Sequence, residues 1–98
     1  MKWEVMLPAK VRKQVLGLPD AIRERFRALA LEIAADGPVR RAWPNYGKLR
    51  GQVDCHHCHL KKGRPTYVAV WKVVDKQIRI VEVNYVGTHE GADYRRLC

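Results

Sequence analysis

The chain has 98 residues, 47% of them hydrophobic and 30% charged, enough for one domain with its own core and too apolar for a disordered or fibrous protein. Nineteen Lys and Arg against ten Asp and Glu leave a net charge of +9. Such a field gathers anionic partners, nucleic acid first and a membrane surface or acidic protein second. The opening MKWEVMLPAK lacks the apolar run of a signal peptide, and no stretch is apolar for long enough to span a membrane, so a cytoplasmic protein without membrane contact is expected.

Trp3, Val5 and Leu7 alternate with Lys2, Glu4 and Met6, which predicts an initial strand. Pro8 suits the first turn of a short helix with Val11, Val15 and Leu18 as its apolar positions, and Gly17 and Pro19 interrupt it. Asp20 is placed to cap a longer helix by accepting an amide hydrogen bond in its first turn. Ile22, Phe26, Leu29 and Ile33 follow at spacings of four, three and four, one apolar face of that helix, and Ala35-Asp36-Gly37-Pro38 stops it. Residues 38–52 read as connection, punctuated by Pro44, Gly47 and Gly51. Three strands are predicted at 54–61, 66–74 and 78–86, joined by the short turns Lys62-Gly63-Arg64-Pro65 and Asp75-Lys76-Gln77. From Gly87 the tail is polar. The outline is β-α-α-β-β-β: an α+β fold, one domain over residues 1–98, with two helices on one face of a mostly antiparallel sheet.

Charge is concentrated in the middle of the chain. Between residues 37 and 72 stand Arg40, Arg41, Lys48, Arg50, Lys61, Lys62, Arg64 and Lys72, opposed only by Asp54. Inside this stretch lies DCHHCHLKKG, residues 54–63. Strand alternation puts His56, Cys58 and Leu60 on one side and Cys55, His57, His59 and Lys61 on the other. Leu60 belongs with the core, so His57, His59 and Lys61 form a polar row on the face the helices leave uncovered. In the next strand Tyr67, Ala69, Trp71 and Val73 oppose Val68, Val70, Lys72 and Val74, and Lys72 assigns its own side to solvent. In the last, Val81, Val83 and Tyr85 oppose Ile80, Glu82, Asn84 and Val86, with Glu82 and Asn84 marking the open side.

The Cys55-x-x-Cys58 spacing suggests zinc, but a closed zinc site wants four converging ligands, and the two cysteines of an extended strand face opposite ways. No metal or other cofactor is expected. The odd cysteine count predicts reduced thiols, Cys55 and Cys58 among them. The histidine row has a different use. RNA cleavage takes a proton from the ribose 2′-oxygen, stabilises an anionic phosphorane and returns a proton to the departing 5′-oxygen. Imidazoles suit both transfers near neutral pH, and Lys or Arg can hold the developing charge. A solvated sheet edge with the same residues remains open on composition and spacing alone.

The order of these pieces resembles the RelE/HigB-type toxins of bacterial and archaeal toxin–antitoxin systems. The resemblance is carried by KWEVMLPAKVRKQVLGLP, the two helices, KLRG, DCHHCHLKKG, YVAVWKVVD, VEVNYVG and the final THEGADY, and it spans the whole chain in order. It implies an mRNA-cleaving endoribonuclease of the microbial-RNase type, metal-independent and working at the ribosomal A site. It also implies a cognate antitoxin that neutralises the toxin, with promoter DNA reached only through the antitoxin complex. Position by position, it assigns catalysis to His57, His59, His89 and Tyr94. Phosphate contact falls to Lys61, Lys62, Arg64 and Lys72, and backbone contact to Lys48 and Arg50. One departure stands out: Val68 occupies the position where RelE-like members carry an arginine. The alternatives are a non-catalytic binding module of the same fold, a gyrase-directed relative of the ParE type, and a zinc-dependent nucleic-acid-binding protein.

Overall fold

The computed structural model describes residues 2–49, 54–61 and 63–97. The described elements run β1 (Glu4–Met6), α1 (Ala9–Leu16), α2 (Asp20–Asp36), β2 (Gly47–Leu49), β3 (Cys55–His59), β4 (Tyr67–Asp75), β5 (Ile80–Thr88) and α3 (Tyr94–Leu97). The strands form one sheet in the order β1-β5-β4-β3-β2. β1 runs parallel to β5, and every other pairing is antiparallel. The α+β architecture is as expected, with two additions. β2 lies in the stretch read as connection, and α3 in the stretch read as tail. At three and four residues neither sits in a longer alternating or helical run, and β2 lies among Pro44, Gly47 and Gly51, which signal connection.

α1 follows Pro8 directly, and α2 follows Pro19. A proline fits there because it lacks the amide hydrogen that the first turn could not use. Asp20 therefore begins α2 rather than capping it, and its carboxylate instead takes a hydrogen bond from Arg23 Nη1 at 3.1 Å. The predicted stripe of Ile22, Phe26, Leu29 and Ile33 is buried throughout, at about 1.5–3 kcal/mol of transfer free energy per side chain. α2 ends at Gly37, whose φ of 100° belongs to the left-handed region. A side chain there would also meet the indole nitrogen of Trp3 at 3.1 Å. The same tryptophan donates its backbone N–H to Ala34 O at 2.7 Å, tying β1 to the end of α2.

The helices cover the side of the sheet that carries Cys58, Leu60, Ala69, Trp71, Val81, Val83 and Val86, which form one core with Val11, Leu18 and the α2 stripe. Trp71 is the largest fully buried side chain, and its indole N–H donates to Pro38 O at 3.0 Å. Alternation predicted Tyr85 on this side and Val86 on the other, and the structure reverses both. The β4–β5 ladder pairs Val70 with Tyr85 but Trp71 with Val83, so Asn84 is an extra residue on β5. Such a bulge shifts the alternation by one position. Beyond it Tyr85 and Gly87 face away from the helices, while Val86 enters the core. The β5 strand also begins at Ile80 rather than Ile78, because Asp75 Oδ1 accepts the N–H groups of Gln77 and Ile78 at 2.9 and 3.1 Å and holds residues 76–79 in the turn.

Candidate active site

The face away from α1 and α2 is laid out by the strand register. His57 of β3 stands opposite Val70 of β4, which stands opposite Tyr85 of β5. In the neighbouring row, His59 stands opposite Val68, and Val68 opposite Gly87. Directly paired residues point to the same side of a sheet, so each row offers its side chains to one surface. Val68 and Val70 are fully buried there. They form an apolar floor, with the polar groups arranged above and around it.

Four rings gather on this floor. His59 and His89 meet edge to face with centroids 5.9 Å apart. His89 lies 6.2 Å from the ring of Tyr94, again edge to face. Tyr94 closes the series against His57 at 5.5 Å. His89 is brought in by its own backbone N–H, which donates to Thr66 O at 2.9 Å. Tyr94 is brought in by α3, whose last turn is held where Asn84 Nδ2 donates to Leu97 O at 2.7 Å. The bulge thus supplies the anchor of α3. Tyr85 lies beside it, with its hydroxyl donating to Thr88 O at 2.8 Å. A Cβ at either Gly87 or Gly91 would come within 2.6 Å of that hydroxyl, which is why both positions are bare.

The electrostatics favour the neutral form of His57 and of His59. Burial lowers the pKa of His57, and the nearness of His59 and His89 lowers it further. Burial and His89 do the same to His59. The Nδ1 of His57 is buried with no hydrogen-bond partner among the described residues, so an imidazolium would leave an N–H unsatisfied. Burial raises the Tyr94 phenol, with Tyr85 adding to the effect. Neutral His57 and His59 can each accept a proton and the protonated Tyr94 phenol can donate one, the two transfers acid–base catalysis requires.

Beneath β2, on the helix side, a second polar group braces this surface. His56 is 1% exposed and is stacked between Tyr46 and Trp71 at centroid distances of 5.8 and 5.9 Å. The Tyr46 hydroxyl lies 2.6 Å from Nδ1, and Nε2 lies 2.8 Å from Asp54 Oδ1, although without the alignment of a good hydrogen bond. The tautomer that serves both neighbours carries its proton on Nε2. Burial pushes the Asp54 carboxyl up, but Lys48, His56 and Lys76 together outweigh it and hold the group below the ordinary carboxylate range. His56 is itself lowered, by burial first and against the pull of Asp54.

The sequence-predicted residues divide accordingly. His57, His59, His89 and Tyr94 come together. Arg64 lines a cleft of about 490 Å³ with Pro65, Thr66, His89 and Glu90. Lys61 continues the β3 chain just past His59, and Lys72 stands on the same face with Glu82 at 3.7 Å. Lys48 is not brought to this surface. It pairs with His56 in the ladder, on the helix side, and contacts Asp54 at 3.2 Å. Lys62 and Arg50 lie outside the described residues. Among the described residues no group of three or more His, Cys, Asp or Glu is arranged to hold a metal ion. Cys58 is free and fully buried, its thiol pushed up to about 12 by burial. Cys55 is disulfide-bonded, which corrects the expectation that it is reduced: an odd count leaves room for one bridge and one thiol. Tyr46, Asp54, His56 and Tyr85 are site-forming residues that sequence reasoning does not reach. The signals available for them were His56 on the core side of β3 and the GTHEG glycines around the Tyr85 hydroxyl.

No protein-family model and no curated protein sequence matches the chain. Solved structures do. A chain of the archaeal RelE–RelB complex from Pyrococcus horikoshii OT3 superposes with a TM-score of 0.75 at 21% identity, over 94% of this chain and 100% of that one. A free-state double arginine-to-alanine variant of the E. coli toxin RelE gives 0.74 at 25% identity, over 98% and 93%. The chain has the RelE fold, so the resemblance carried by the sequence holds in three dimensions. No helix among the described residues is long and apolar enough to cross a membrane.

Proposed function

We propose that this chain is the toxin of a toxin–antitoxin pair and a metal-independent endoribonuclease that cuts messenger RNA, acting in the cytoplasm at the ribosomal A site until a cognate antitoxin covers it. One observation carries the reading. His57, His59, His89 and Tyr94 converge from β3, the segment after β5 and α3 onto one face of a RelE fold. A binding module or a gyrase-directed protein has no need of paired acid and base at that place.

In the proposed reaction, His59 or His57 accepts the proton of the ribose 2′-hydroxyl. The 2′-oxygen then attacks the adjacent phosphorus. The bond to the 5′-oxygen breaks, and His89 returns a proton to that leaving oxygen. The products are a 2′,3′-cyclic phosphate and a 5′-hydroxyl, with no net change in protons. Lys61, Arg64 and Lys72 restrain the phosphate and offset the charge of the phosphorane. Tyr94 stacks on a base or shares the proton transfer. Val68 supplies no cation, so the charge that an arginine brings at this position in RelE-like members comes from those three side chains. The net charge of +9 draws the polyanion to the surface.

Mapping of message ends after brief expression tests this, with His59→Ala and His89→Ala alongside the parent. New 5′-hydroxyl ends within translated message are expected from the parent, and their loss from both variants. Unchanged cutting by both would refute the chemistry.

A further inference from the structure

We propose that His59 and His89 together form an exchangeable site for a borderline divalent transition cation, zinc or copper, and that occupancy of this site switches the surface off. The geometry carries the first half. With metal–nitrogen bonds of about 2.0–2.1 Å, two imidazoles on one ion have ring centres roughly 5–6 Å apart. The rings of His59 and His89 stand 5.9 Å apart. The terminal torsion of a histidine is soft, so modest rotation turns one nitrogen of each ring into the gap. No described side chain hydrogen-bonds either ring to oppose that rotation.

Position and donor type then select the ion. His89 is exposed and His59 is partly so, and the cleft beside His89 is open to solvent along Arg64 and Glu90. Imidazole suits zinc, copper and nickel, whereas magnesium and calcium prefer oxygen ligands. Neither described cysteine competes, because Cys58 is fully buried and Cys55 is disulfide-bonded. Among the described residues no third protein donor is in place, so water fills the remaining positions. A site with two protein ligands on a chain of charge +9 binds reversibly instead of acting as a structural cage. The Glu90 carboxylate at the same cleft tempers the repulsion.

The second half rests on the ribonuclease reading. A metal bound to both rings takes the lone pair of His59 and the proton position of the acid His89 at once, so the leaving oxygen receives no proton and cutting stops. The ion is therefore an inhibitor, and the reaction itself needs none.

Calorimetric titration of the untagged, chelator-washed protein with zinc chloride tests the site, with magnesium chloride as the comparison ion. One zinc per chain is expected at a dissociation constant of about 1–100 µM, weakened about tenfold or more by His59→Ala or by His89→Ala, with no magnesium binding. In nuclear magnetic resonance spectra the ring protons of His59 and His89 should move with zinc, while those of His56 stay. Failure to bind zinc in that range, or variants that bind as the parent does, overturns the proposal. Cleavage assays complete the test: zinc should stop cutting and chelator restore it. If zinc binds through both rings but the metal-free protein cuts no message, the site stands and the ribonuclease reading falls. If cutting proceeds with the site saturated, the inhibitory role falls.

Discussion

His57 lies directly opposite Gly47 in the β2–β3 ladder, and a Cβ added at position 47 would stand 3.2 Å from the imidazole Nε2. That contact is tighter than ordinary packing, so Gly47→Ala must push the ring by a few tenths of an ångström. Displacements of this size in a reacting group cost about tenfold or more in rate, while a change at a short edge strand costs at most about 1 kcal/mol in stability. Single-turnover cleavage should slow with the melting temperature nearly unchanged. An unaltered rate would remove His57 from the chemistry.

Acidity gives a second handle. His57 and His59 are both held below the ordinary histidine value of 6.5, through burial and neighbouring imidazoles. A base with a lowered pKa stays unprotonated further into acid, so the acid limb of the kcat/KM profile should fall below pH 6.5. His89 contributes to both shifts, and His89→Ala should move the limb of any residual activity back up. A limb at or above 6.5 in the parent would contradict the assignment.

Stability should also respond to mild acid. His56 is lowered in the folded chain, so between its folded and unfolded values the unfolded chain binds the extra proton. Stability is then full above about pH 6.5 and declines as pH falls, by at most about 1.4 kcal/mol per pH unit for each proton. His57 and His59 act in the same sense. His56→Phe keeps a ring between Tyr46 and Trp71 but cannot titrate. Urea unfolding of this variant should show a shallower slope between pH 7.5 and 5.5. It should also lose about 1–3 kcal/mol at pH 7.5, since the Tyr46 hydroxyl and Asp54 lose their partner. An unchanged slope would show that His56 does not titrate with folding.

Acid and base working on one bond should fail together. His59→Ala and His89→Ala are each expected to cost about 10²–10⁴ in kcat, and the double variant little more than the worse single one, as in groups that act as a unit. Rates that multiply would mean that the two rings serve separate steps.

Much of this was legible in the residues. The α2 stripe and the placing of His57 and His59 opposite Cys58 and Leu60 follow from periodicity alone, because one buried leucine fixes which side of β3 is inside. Plain alternation describes the faces of β5 only as far as Val83. Val81, Val83 and Tyr85 alternate without a break, so nothing local shows that Asn84 is the additional residue, and only pairing with β4 reveals it. α3 was hidden for a related reason. Four residues cannot hold a helix by themselves, and Tyr94-Arg95-Arg96-Leu97 is held from outside, by the Asn84 amide on Leu97 O. The approach of His89 to His59 likewise depends on a backbone bond to Thr66, a residue distant in the chain.

The extra residue in β5 makes interior and chemistry separable at a single peptide unit. Excising Asn84 would restore plain alternation, with Val83 and Val86 still inward and Tyr85 still outward, so the hydrophobic interior would lose nothing. What would go is the tether on the carboxyl-terminal turn, and with it the hold on Tyr94. A shortened chain of this kind would keep its architecture and release Tyr94 from beside His57 and His89.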